Sequence, residues 1–159
     1  MENPRKPPST LLHFALLPVL LAVMLAHVGA AAQNAVNLDL TVREIVADNS
    51  GQGLDSRLDD IGRDLKKLAY STFRLEKTHT RKLEGEAQVR LELLGKNILL
   101  IDSQGVEEGK IRLKVKLTPG DKKQRSFEST LRIPDGGTFI IGGPAYGDGV
   151  LILAFTAKK

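Results

Sequence analysis

DGGTFIIGGPAYGDGVLILAF, residues 135–155, sets glycines around and between two apolar runs, and its reading decides the fold. A glycine-rich loop that cradles a phosphate must lead into a helix, because the helix N-terminus supplies the oriented N–H groups and the favourable field. After Gly149 comes Val150-Leu151-Ile152-Leu153-Ala154-Phe155, an apolar run with β-branched members and the length of a buried strand. No Lys-Ser or Lys-Thr pair follows the last glycine. The nucleotide reading therefore fails, and the glycines are expected to serve turns. Pro134-Asp135-Gly136 fits a type I turn, with proline second, aspartate third and a left-handed Gly136 fourth. Gly142–Gly149 reads as the next connection between strands. Loops on rigid strands often carry binding residues, so this 142–149 loop is also where a ligand-gripping tip would sit.

Upstream, period two dominates. Val36, Leu38, Leu40 and Val42 alternate with Asn37, Asp39, Thr41 and Arg43, the pattern of a half-buried strand. Ile45-Val46-Ala47 breaks the alternation before a loop at Asp48–Gly53. Leu54, Leu58, Ile61, Leu65 and Leu68 then fall at helical spacing and predict one amphipathic helix over 54–69. Asp55 or Ser56 can cap its start, with Ser56 and Asp59 as a variant capping box. Asp59 and Asp60 near the start and Lys66 and Lys67 near the end suit the helix dipole. Gly62 inside it costs up to about 1 kcal/mol relative to alanine, so the helix needs its apolar stripe docked on a sheet. Alternation returns at Phe73 and Leu75, at Ala87–Leu93, at Ile111–Leu117 and at Phe127–Ile133, with a continuously apolar strand at Asn97–Ile101. The whole predicts a mainly β fold: an antiparallel β-sandwich or barrel of about eight strands with that single helix covering one end or face.

Residues 1–32 stand apart. Arg5 and Lys6 precede an apolar run from Leu11 to Val28, and Gly29-Ala30-Ala31-Ala32 supplies small side chains before Gln33. Charged start, apolar middle and an A-x-A end make a signal peptide, expected to be cleaved near Ala32 to leave one exported β-rich domain, 33–159. The rival is an uncleaved anchor, since about 18 apolar residues is near the lower limit for spanning a bilayer. The chain has no cysteine, which excludes lipid attachment after the leader and any disulfide. Its net charge is +4, with acids and bases interspersed and few aromatics, a composition that argues against a nucleic-acid partner. The expected location is periplasmic or secreted. Membrane contact is expected only through the leader, or weakly through basic loops.

Ser129-Thr130-Leu131-Arg132-Ile133-Pro134-Asp135-Gly136-Gly137-Thr138-Phe139-Ile140-Ile141-Gly142-Gly143 resembles a hairpin of the C-terminal domain of bacterial secretins, in which a strand, a D-G-x-T turn and an apolar strand ending in Gly-Gly recur. Ring-forming domains and membrane-spanning hairpins do not fit in a chain of this length. What the resemblance implies is the envelope of a double-membrane bacterium. It brings no functional residue.

Catalytic chemistry finds little material. Beyond the leader His79 is the only histidine, and it sits between Lys77 and Arg81, which offer nothing to orient a general base. It reads as a solvated strand residue. Glu84 with Glu86, and Glu107 with Glu108, read as solubilising turn and loop acids. A glycosidase cleft would want aromatic walls, and the chain has no tryptophan. Asp148 and Asp135 lack the regular spacing of a calcium loop. No catalytic residue, cofactor or metal site is assigned. The sharpest basic cluster is Lys122-Lys123-Gln124-Arg125. The candidate interaction residues are Gly142, Gly143, Tyr146, Asp148, Lys122, Lys123 and Arg125. The expected function is that of a non-enzymatic envelope protein, an accessory or assembly factor acting through protein contacts, with an exposed edge strand as the means. The alternative is a small-ligand or glycan-binding module using the 142–149 loop.

Overall fold

Nine strands form in the computed structural model, which describes residues 36–159; the leader assigned to 1–32 lies outside the described residues. In chain order they are β1 (Asn37–Asp48), β2 (Gly53–Leu54), β3 (Thr72–Glu84), β4 (Gln88–Leu93), β5 (Asn97–Glu107), β6 (Lys110–Thr118), β7 (Phe127–Pro134), β8 (Thr138–Tyr146) and β9 (Gly149–Lys158). They make two sheets, ordered β2-β3-β1-β9-β8 and β4-β5-β6-β7, antiparallel except for the short β2–β3 bridge. The fold is mainly β, as the alternating pattern predicts, and of the two expected architectures the two packed sheets make a sandwich, with nine strands for the expected eight or so.

Its main core lies between the sheets. Leu38, Leu40 and Val42 of β1 and Leu151, Leu153 and Phe155 of β9 meet the inward faces of β4–β7. The opposite face of the same two strands is buried too. Ile45, Ala47, Ile152 and Ala154, with Phe73 and Leu75 of β3, pack against Leu58, Ile61 and Leu65. One end of the molecule thus has three layers. Burial on both faces explains why Ile45-Val46-Ala47 and Val150–Phe155 are continuously apolar. The bulge that interrupts the alternation is in β3: Glu44 faces Lys77 and Ile45 faces Leu75, which leaves Glu76 as the extra residue.

The outer layer is shorter than the helix predicted over 54–69. Leu54 belongs to β2, Ser56–Ile61 is a 3₁₀ stretch, and only Gly62–Leu65, here α1, is α-helical. The cause is local anchoring. Asp55 accepts the Arg57 N–H at 3.0 Å and also the β3 N–H of Leu75 at 3.2 Å, so the chain is still tied to β3 where it leaves β2 and the helical stretch cannot start at Leu54. A 3₁₀ turn sets residues three apart on one side, which suits Leu58 and Ile61. The capping aspartate is Asp55. Arg43 of β1 grips Asp60 with two bonds of 2.7 and 2.8 Å and clamps the layer from the other side.

Three aspartates hold this layer, and each carboxyl lies below the usual aspartate value of 3.8. Asp48 is lowered by the Ser50 hydroxyl and N–H, then by Arg74. Asp55 is lowered by the Arg57 side chain and N–H, and Asp60 by the Arg43 fork. Folding therefore favours their ionised forms. That stability is complete above the usual value and is lost as pH falls through the lower folded values. On acidification below 3.8, amides of residues 55–71 should lose protection relative to their intrinsic exchange rates, while those of the longer strands keep theirs. Simultaneous loss of protection throughout the domain would contradict this.

The turn after β7 differs from the expected one by a residue. Gly137 N–H bonds Pro134 C=O at 2.8 Å, so Pro134 comes first and Gly136, with φ +70°, third. That is the glycine position of a type II turn. The strands it joins are not a hairpin, because β7 pairs only with β6 and β8 only with β9. The expected 142–149 loop is mostly strand as well. β8 runs through Tyr146 with a bulge between Gly142 and Ala145, and β9 starts at Gly149.

Candidate interaction edge

The edges of the two sheets differ sharply in chemistry. Past its two-residue bridge to β2, β3 is open but carries Arg74, Glu76, Lys77, Arg81, Lys82 and Glu84 together with the bulge. β4 carries Arg90 and Glu92, and β7 carries Glu128 and Arg132 and ends in Pro134. Charges, bulges and prolines are how sheet edges are kept from pairing with other chains. β8 has nine residues and no charge. Its Phe139 lies on the inward face opposite Phe155 yet is 40% exposed, because β8 forms the rim.

The hydrogen-bonding pattern says which groups the rim offers. Ala157 N–H bonds Gly137 C=O, and antiparallel pairs alternate, so Phe139 and Ile141 bond to β9. Thr138, Ile140 and Gly142 therefore turn their N–H and C=O groups outward. The open run ends just beyond. Pro144 has no N–H, and Ala145 donates its own to Gln124 Oε1 at 3.1 Å. At that end a crevice of about 320 Å³ opens between the β6–β7 loop and the β8 bulge, walled by Leu117, Gln124, Arg125, Phe127, Gly142 and Gly143.

Of the residues singled out in the sequence, Gly142, Gly143 and Arg125 meet at this crevice. Lys122 and Lys123 are exposed on the same loop but do not line it. Tyr146 and Asp148 do not join them. Asp148 is exposed in the turn between β8 and β9. Tyr146 is half-buried on the sandwich core, and its ring stands so close over Gly95 that a Cβ there would lie 3.2 Å from Cδ2. Tyr146→Ala should therefore lower stability by about 1–2 kcal/mol, read as a shift in urea midpoint. An unchanged midpoint would make the ring a free tip.

Gln124 and Phe127 are not legible as walls in the sequence, since the approach of their loop to β8 is tertiary. A second pair departs from its sequence reading. His79 is buried, not solvated: its Nε2 stands 2.6 Å from Oε1 of Glu44, whose residue exposure is 0%. Glu44 Oε2 accepts the N–H of Leu94, in the connection between β4 and β5, at 2.7 Å. The bulge at Glu76 changes which β3 residues face inward, bringing His79 and Leu83 to the core side. A signal is present, for Glu44 shares its parity with Leu38, Leu40 and Val42. The pair is structural in placement, tying β1 and β3 to the β4–β5 connection. Glu107 likewise serves ion pairs, with Arg112 at 3.1 Å and Arg132 at 3.4 Å. Among the described residues no three His, Asp or Glu side chains converge as metal ligands would. In comparisons with known proteins, the chain matched no family model, no curated protein and no solved structure.

Proposed function

We propose that this chain is a non-enzymatic envelope protein that holds a protein partner by adding one of the partner's strands to β8. The observation that carries the reading is the uncharged edge that β8 leaves open from Thr138 to Gly142, set in a molecule whose other edges longer than two residues carry charge. Main-chain bonds from Thr138, Ile140 and Gly142 supply affinity, and Phe139 and the crevice supply side-chain contacts. The leader pattern and the secretin-like residues 129–143 support the envelope as the setting. An accessory or assembly role fits a mode of binding that involves no chemistry.

Gly142→Pro tests it. Proline removes an outward N–H, and edge positions of this kind accept it. A Cβ at Gly142 meets nothing within 4 Å, and the amide lost faces away from β9, so the fold should persist, as an unchanged urea midpoint would show. A photo-crosslinker at position 139 in the exported protein should capture a partner in wild type and lose it in Gly142→Pro. The Ile140 and Gly142 amides should gain exchange protection in the complex. Capture that persists in the proline variant, with those amides unprotected, would point instead to a ligand in the crevice.

A further inference from the structure

We infer that the strand taken up by β8 is acidic where it leaves Gly142, so that the edge selects an extended peptide with an uncharged pairing segment and Asp or Glu at one end. This rests on β8 being the binding edge. The open ladder stops at Gly142, because Pro144 and the engaged Ala145 N–H offer nothing further. A chain paired along Thr138–Gly142 must continue past the crevice and over the β6–β7 loop. That loop, Pro119-Gly120-Asp121-Lys122-Lys123-Gln124-Arg125-Ser126, carries three cations and one acid. Asp121 is turned to its own backbone and accepts the Lys123 N–H at 2.9 Å. Lys122, Lys123 and Arg125 stand in no ion pair among the described residues, and all three are exposed, which leaves their charge open to a chain crossing the loop. Cations left without partners at the end of a ladder fix both the register and the sign of an incoming chain. With β8 itself uncharged, they supply the charge selection at its Gly142 end.

The test is a selection of random eight-residue peptides displayed on phage against the full exported domain, with counter-selection on Gly142→Pro. The expected result is enrichment of peptides with alternating apolar residues and Asp or Glu at one end. Synthetic copies should bind wild type roughly tenfold tighter than their lysine-substituted twins, a gain within reach of two or three such charge pairs. Charge reversal of the loop, with Lys122→Glu, Lys123→Glu and Arg125→Glu together, should turn the preference toward basic peptides. Enrichment that depends on Gly142 but shows no acidic bias would overturn this inference and leave the edge reading standing. No enrichment, or enrichment indifferent to Gly142→Pro, would overturn both. A domain that sediments as a dimer in wild type and as a monomer in Gly142→Pro would assign the edge to a second copy and overturn the acidic peptide.

Discussion

Glu44→Ala should destabilise the domain by about 3 kcal/mol or more, as read from urea unfolding. Its side chain is fully enclosed and makes two contacts of different origin, one with His79 Nε2 at 2.6 Å and one with the Leu94 N–H at 2.7 Å. Truncation leaves both groups buried without a partner and opens a void between the sheets. Glu44→Gln should lose less, because an amide of the same shape can still accept from one group and meet the other. His79→Ala should also weaken the fold, by about 2 kcal/mol, where a solvated strand residue would cost almost nothing. Coupling in the Glu44→Ala/His79→Ala double-mutant cycle should exceed about 1 kcal/mol. A loss below about 1 kcal/mol for Glu44→Ala would remove the claim that this carboxylate joins the two sheets.

Gly149→Val should be comparably damaging, for a steric reason. A Cβ at Gly149 would lie 2.2 Å from the Ala47 carbonyl oxygen and 2.9 Å from Asp48 Cβ. The obstacle is mainly the backbone of β1, which cannot rotate away. Overpacking against movable side chains costs about 1–3 kcal/mol, so a rigid obstacle should reach the top of that range or pass it. Gly136→Val provides the control. That residue has φ +70° and nothing within 4 Å of a Cβ, so it bears conformational strain alone, about 1–2 kcal/mol. Denaturant midpoints should therefore rank wild type above Gly136→Val above Gly149→Val. Equal losses would show that backbone conformation, not close approach, governs both positions.

These variants mark how far the sequence can be read. Alternation identifies most strands and the inward residues of the first half of β1, of β6 and of β7, because each has one wetter face. It fails where a strand has none. Val150–Phe155 and Ile45–Ala47 read as unpatterned until Leu58, Ile61 and Leu65 are seen to cover their second face. The helical stripe is correct as a set of buried positions and too long as a helix, since Asp55 binds across to Leu75. Turn chemistry locates Gly136 but not the parting of β7 and β8 into different sheets, which depends on partners far along the chain. At the candidate site, Gly142, Gly143 and Arg125 converge as residues of neighbouring segments can. Tyr146 draws notice as an aromatic among glycines and is used for packing.

The placement of β1 has a consequence for how the domain comes into being. β1, the first strand, lies between β3 and β9, the last, in register from Asp39 opposite Lys158 to Ala47 opposite Val150. Sheet β4-β5-β6-β7 is a meander of sequence neighbours, and its pairings close short loops. The β1–β9 seam closes one of the longest loops the domain has, so loop entropy delays it. Until β9 is available, β1 has one edge without a partner strand. The five-stranded sheet is therefore expected to close after the β4-β5-β6-β7 meander. A β9 truncation should therefore leave the pairings of β4-β5-β6-β7 in place and both β1 and β8 without their shared partner strand.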